Sequence, residues 1–168
     1  MNPMRKIRIG KITINMGVGV GGKKLSNAEA VLEEIANQKP VRTYAKKTNK
    51  DFGISKGSPI GCKVTVRGRK AIPILEKLFK AIGGEISGNS FDGNGNFAFG
   101  IKEHIEIPGL EYDPEIGIYG MDVCVSLIRP GFRVKNRRRE SRPIPKSHQI
   151  NSEEAISFLE ENFDVKVI

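Results

Sequence analysis

Four short stretches of this chain alternate between apolar side chains and polar or small ones, and they restrict its fold more than any other feature. Ile12, Ile14 and Met16 alternate with Lys11, Thr13 and Asn15, and Cys62, Val64 and Val66 alternate with Lys63, Thr65 and Arg67. Phe97, Phe99 and Ile101 share one side of a third stretch, with Ala98 and Gly100 opposite, and Met121, Val123, Val125 and Leu127 mark a fourth. Successive side chains of a strand point to opposite faces, so these are strands with one apolar face. The aromatic side of the third could be a base-stacking platform, but with only Ala98 and Gly100 opposite, core packing is the favoured reading.

This alternation also weighs against a nucleotide-binding reading of GVGVGGKK. Gly17, Gly19 and Gly22 satisfy G-x-G-x-x-G, and Gly17 to Lys23 satisfies the first part of a phosphate-binding loop. The strand leading into a dinucleotide fingerprint is buried and apolar on both faces, which Lys11, Thr13 and Asn15 contradict. Lys24 occupies the place where Ser or Thr would hold Mg²⁺. A flexible turn is the better reading, and no cofactor is expected.

Two helices are expected between the strands. Ser26 and Glu29 form an S-x-x-E capping box opening a helix to about Asn37, with Ala28, Val31, Leu32 and Ile35 buried and Glu29, Glu33 and Glu34 in solvent. A second runs from about Lys70 to Ile82, where Ile72, Leu75, Leu78, Phe79 and Ile82 form a core stripe and Gly83 and Gly84 supply the cap. Val41, Thr43 and Tyr44 suggest a short strand. Asn151 and Ser152 cap a last, acidic helix with Ile156, Phe158, Leu159 and Phe163 as its apolar surface.

Charge is segregated along the chain. Ten Lys/Arg face one Asp between Lys39 and Lys70, and eight face one Glu between Arg129 and Lys146. Residues 71–128 carry a net charge of −6. Two basic islands on an otherwise acidic background point to a polyanionic partner, whose condensed counterions they would release. The first island spans a Gly-rich, bendable loop over residues 45–61; the second, over 129–149, has Pro130, Pro143 and Pro145 and is expected to order only on a partner. The run Arg137, Arg138 and Arg139 favours phosphate contact. The polar face of Lys11, Thr13 and Asn15 suits phosphate, sugar or base edges equally with plain solvent.

No catalytic or metal-binding arrangement is apparent. Cys62 and Cys124 belong to no metal-ligand cluster, and each reads as a reduced, buried thiol. His104 and Glu106 would share one face of a solvated strand, with Glu103 pointing away, and no third ligand lies near. With no apolar run of about 18 residues, and no signal peptide at the start, the expectation is one soluble, unsecreted domain over residues 1–168, with no membrane partner.

Several longer motifs carry a resemblance. NMGVG (15–19), QKPVRTYAKK (38–47), FGISKGSPIGCKVTVRG (52–68), SFDGNGNFAFGIKEH (90–104) and YGMDVCV (119–125) resemble the uL5 (L5) family of large-subunit ribosomal proteins, in order along nearly the whole chain. The Arg-rich segment and the acidic last helix are similar to its archaeal and eukaryotic form, and an archaeal source is expected. The resemblance implies an α+β fold in two layers, a curved antiparallel sheet with helices packed on one face. It implies a cytoplasmic, ribosome-bound protein without enzymatic activity, binding 5S rRNA and fixing it to large-subunit rRNA in the central protuberance beside neighbouring large-subunit proteins. It places Asn15, Gln38, Thr43, Lys63, Thr65 and Arg67 on the RNA surface, which Lys11 and Thr13 extend by strand alternation. It directs the loop carrying Lys46, Lys47, Thr48, Asn49, Lys50 and Phe52 to P-site tRNA. It gives the acidic segment with Glu106, Glu111, Asp113 and Glu115 a bridge to a basic small-subunit protein. Arg137, Arg138 and Arg139 are assigned to rRNA on charge alone.

Overall fold

The structure is a computed structural model that describes residues 2–168. Its centre is strand β1 (Arg8–Gly17), followed by helix α1 (Lys23–Ala36), strands β2 (Val41–Tyr44) and β3 (Pro59–Val66) and helix α2 (Ala71–Ala81). Then come β4 (Glu85–Ile86), β5 (Asn96–Ile101), β6 (Met121–Ile128), the single-turn helix α3 (Arg133–Asn136), α4 (Ser152–Phe163) and β7 (Lys166–Val167). Five strands form one antiparallel sheet in the order β2-β3-β1-β6-β5, and β4 pairs with β7 in a separate parallel ladder. The expected α+β architecture is present.

The alternating positions separate as expected. Ile12, Ile14, Met16, Cys62, Val64, Val66, Phe97, Val123, Val125 and Leu127 are buried in one core. Against that face α1 lies on β3 and α2 on β1, adding Leu25, Leu32, Leu75 and Leu78 to the same cluster. At roughly 25 cal/mol per Å² of apolar area, each such side chain contributes about 1.5–3 kcal/mol when fully buried. Phe79 gathers the aromatics, 6.3 Å from Phe97 and 5.5 Å from both Phe99 and Phe163, ring centre to ring centre. Phe97 and Phe99 are therefore packing residues, as favoured from the sequence. Pairing shifts register at Gly10 in β1 and, between Thr43 and Tyr44 of β2, at Ile60 in β3. A Cβ on Gly10 would lie 2.7 Å from Ile128 Cγ2, so this kink needs a residue without a side chain.

Several expectations need correction. Helix α1 starts three residues before Ser26, with Gly22 at the N-cap in a positive-φ conformation, and the Ser26 hydroxyl bonds back to the Gly22 carbonyl at 3.4 Å. The capping box is thus inside the helix and caps nothing; the glycine turn starts it. Glu29 is half-buried and paired with Arg42 of β2, whose guanidinium holds the carboxyl below the usual range. In α2, Ile72 is 44 % exposed while Ile74 is buried, because the helix presents Ala71, Ile74, Leu75 and Leu78 to the sheet. At Gly83 and Gly84, both with positive φ, the chain does leave α2 as expected. Helix α4 has its N-cap at Asn151, where Glu154 accepts from the Asn151 N–H at 3.2 Å.

The second basic segment folds back on the domain. Arg129, only 5 % exposed, donates to the Gln149 carbonyl at 2.9 Å and to Glu154 at 2.7 Å. Phe132 meets His148 edge-on at 5.8 Å, and Ile150 is fully buried. One of the eight cations therefore closes the loop, and the others remain outside. The expectation of a segment without structure of its own missed these anchors, which are far apart in sequence.

Candidate nucleic-acid interface

The face of the sheet that the helices leave open is built by the register of β1. Lys63 and Asp122 flank Asn15, and Thr65 and Cys124 flank Thr13. The two threonine hydroxyls are 3.4 Å apart. Ser126 lies beside Lys11, Val41 beside Lys63, and Thr43 beside Gly61. Partners across an antiparallel ladder point to the same side, so residues from β1, β2, β3 and β6 form one surface of small and polar groups edged by cations. Arg67, exposed, stands just past the end of β3. Gly61 keeps this surface low: a Cβ there would lie 2.6 Å from the Met16 carbonyl and 2.9 Å from Thr43 Oγ1. Gln38 is engaged locally, its amide donating to the Thr65 carbonyl at 3.2 Å, which leaves its oxygen to face outward partners.

Cys124 corrects a sequence expectation. It is exposed on this open face, whereas Cys62 is buried under it. Burial, with Glu29 adding to it, pushes the Cys62 thiol up to about 11, which keeps it protonated and unreactive. With excess iodoacetamide at neutral pH, the native protein should take up one label, on Cys124, and peptide mapping should find Cys62 unmodified until denaturant is added.

The loop after β2 is a hairpin rather than a slack connection. It spans residues 45–58 rather than the expected 45–61, because β3 already starts at Pro59. Ala45 N–H donates to the Ser58 carbonyl at 2.9 Å, and Asn49 and Ile54 exchange backbone bonds of 2.7 and 2.9 Å. Thr48 Oγ1 accepts from Lys56 N–H and Asn49 Oδ1 from Asp51 N–H, both at 3.1 Å. Thr48 and Asn49 thus shape the tip. Lys46, Lys47 and Lys50 are exposed around it, and Phe52 is 75 % exposed at its end.

Glu106, Glu111, Asp113 and Glu115 are all exposed on the segment between β5 and β6. The segment is pinned to α1: Tyr119 OH donates to the Lys24 carbonyl at 2.9 Å and Asn27 to the Glu115 carbonyl at 3.0 Å. His104 closes the segment on itself. It is 2 % exposed in a turn over His104–Glu106, not on a solvated strand. Its backbone N–H donates to the Tyr119 carbonyl at 3.0 Å, and its ring Nδ1 accepts from the Tyr119 backbone N–H at 3.3 Å. The missed signal was the chain reversal itself, since local spacing does not show that residues 104 and 119 meet.

Burial lowers the His104 value, against the pull of Glu34 and Glu103. An imidazole whose folded value is depressed stabilises the fold at pH above its unfolded value of about 6.5, and that contribution is lost as pH falls below it. Acidification from pH 7.5 to 5.5 should therefore loosen the 104–119 segment, seen as a lower protection factor for the Tyr119 amide, its observed exchange rate being compared with the intrinsic rate at each pH. His104→Gln should abolish the pH dependence of that protection factor.

Elsewhere the polar candidates have structural duties. Val18 and Gly19 N–H groups both donate to the Ile60 carbonyl, at 2.9 and 2.8 Å, so the glycine turn does not keep them for a phosphate. Arg137 Nε donates to the Glu140 carbonyl at 2.9 Å, and Arg138 and Arg139 are exposed. Among the described residues no group of three or more His, Cys, Asp and Glu could hold a metal ion, and no helix is long and apolar enough to cross a membrane.

Fold and surface define a class: a basic α+β protein with one sheet face sealed by helices, the other open, and cationic projections beside it. Residues 2–54 match the family model described as ribosomal protein L5, and residues 59–160 match the model of that ribosomal family's C-terminus. A large ribosomal subunit protein uL5 of Sulfurisphaera tokodaii is 53% identical, covering 100% of this chain and 96% of its own length. Those of Methanosphaera stadtmanae and Sulfolobus acidocaldarius are 49% and 45% identical, each covering 99% of this chain and 99% and 94% of their own length. The chain belongs to the ribosomal protein L5 (uL5) family, in its archaeal type. It is a non-enzymatic structural constituent of the large ribosomal subunit, ribosome-bound in the cytoplasm, and its partners are rRNA and other ribosomal components.

Proposed function

We propose that the open sheet face binds 5S rRNA and fixes it to the large-subunit rRNA in the central protuberance. The register that sets Lys63 beside Asn15 and Thr65 beside Thr13 carries this reading. It combines cations for phosphate with hydroxyl and amide groups for sugar and base edges, on strands held rigid from behind by α1 and α2. Lys11, Thr43 and Arg67 extend the surface, and the Gln38 amide oxygen adds an acceptor at its edge. Arg137, Arg138 and Arg139 reach neighbouring rRNA as a separate phosphate clamp, beside other large-subunit proteins.

The hairpin tip, with Lys46, Lys47, Lys50 and Phe52 outward and Thr48 and Asn49 bracing it, meets P-site tRNA. A stiff finger with three cations and an exposed ring suits a backbone and a base better than a slack loop would, because less order must be gained on contact. Glu106, Glu111, Asp113 and Glu115 form the bridge to a basic small-subunit protein, on a segment pinned at Lys24, Asn27 and His104. The whole chain acts as one domain: the gap between the two family matches, residues 55–58, falls inside the hairpin joining β2 to β3.

The test is binding of the purified protein to 5S rRNA and to a tRNA-sized control over a salt series. Preference for 5S rRNA that persists as salt rises supports the reading; equal affinity for both leaves only a nonspecific basic surface.

A further inference from the structure

The residue the helical period misplaced, Ile72, marks a surface apart from the open sheet face. It stands at the end of a groove between the N-terminal segment and α4, whose floor is Ile7, Ile9, Phe158 and Phe163. The groove continues along α4 through Ile7, Phe158 and Asn162, which line both of its halves. Its walls have opposite charge. Arg5, Lys6 and Arg8 stand on one side with Arg69 at the end, while Glu153 and Glu161 of α4 stand on the other.

We propose that this groove docks an amphipathic helix of a protein partner, whose apolar stripe is edged by carboxylates on one side and cations on the other. Charge complementarity selects this occupant. The apolar floor takes the stripe, the Arg5–Arg8 wall takes the carboxylate edge, and the α4 wall takes the cationic edge. A phosphate backbone carries one sign only and would meet Glu153 and Glu161. The rings of the floor are already engaged with each other and with the core: Phe158 and Phe163 meet edge-on at 6.2 Å, and Phe163 meets Phe79 edge-on at 5.5 Å. The exposed apolar group, Ile72, is aliphatic. The C-terminus does not fill the groove, because Ile168 N–H is bonded to the Ile86 carbonyl at 2.9 Å.

The probe is a fluorescein-labelled helical peptide of about five turns, with a leucine stripe edged by Glu on one side and Lys on the other. Titrated with the full chain and followed by anisotropy, it should bind. Ile72→Asp and Arg69→Glu should each weaken it by at least about tenfold, and Ile72→Asp should leave 5S rRNA affinity unchanged. No binding, equal binding of a peptide with Lys on both edges or of a scrambled one, or indifference to both substitutions would overturn the proposal. Displacement of the peptide by a single-stranded RNA oligonucleotide would reassign the groove to RNA. A dimer in sedimentation that Ile72→Asp dissolves would reassign it to a second copy of the chain. Circular dichroism checks that Ile72→Asp folds, and if it does not, the exposed Arg69→Glu decides alone.

Discussion

Replacing both cations of the third strand region, Lys63→Ala with Arg67→Ala, should weaken 5S rRNA binding and flatten the plot of log K against log salt by up to about two units. Each cation that neutralises a phosphate releases close to one condensed counterion, so two lost contacts remove about two units of slope. Both side chains are exposed, so the fold should survive their truncation. Filter binding or anisotropy from low to high salt measures the effect. Thr65→Ala makes a useful contrast: it removes a hydroxyl without charge, so any loss should appear at every salt concentration with the slope intact. An unaltered slope in the double variant would mean that these cations do not meet phosphate, and the open face would lose its central role.

The largest effect on stability is expected from Phe79→Ala, at about 3–5 kcal/mol. Phe79 is buried and its ring touches those of Phe97, Phe99 and Phe163, so truncation opens a cavity at the junction of α2, β5 and α4. A domain of ordinary stability holds about 5–15 kcal/mol in total, so this loss brings the chain near its unfolding threshold at physiological temperature. Urea denaturation followed by circular dichroism reads it directly. Ile72→Ala, on the same helix, should cost less than about 1 kcal/mol because nearly half of that side chain is already in water. Similar costs for the two would contradict the packing described above.

That contrast shows where local pattern reading stops. Ile72 and Phe79 both obey the helical period, and only the position of the sheet decides which of them is covered. The same holds for His104, whose Glu neighbours suggest a wet surface until the chain returns at Tyr119 to cover it. Arg129 sits in a run of cations that reads as wholly solvent-facing, yet it is drawn inside by Glu154 and the Gln149 carbonyl. The capping-box motif at Ser26 failed for a different reason: Gly22, by adopting positive φ, already let the helix begin a turn earlier.

The sequence alone determined the five strands of the main sheet, their apolar sides, the two basic islands and the family, because alternation, charge and long motifs are properties of neighbours along the chain; the short β4–β7 ladder was not legible in it. It also set Lys11, Thr13 and Asn15 of β1 and Lys63 and Thr65 of β3 opposite the apolar side of their strands, since a period of two assigns a face without knowing the partner strand. Tertiary structure decided which strands pair and in what register, and so brought Asn15 beside Lys63 and Thr13 beside Thr65. It turned the loop after β2 into a braced hairpin, exposed Cys124, buried His104 and Arg129, and left Ile72 at the rim of a groove. The hairpin braces are short-range, but the burial of His104 and Arg129 depends on contacts 15 and 25 positions apart, where the deciding energies are burial and hydrogen bonding across the fold rather than local preference.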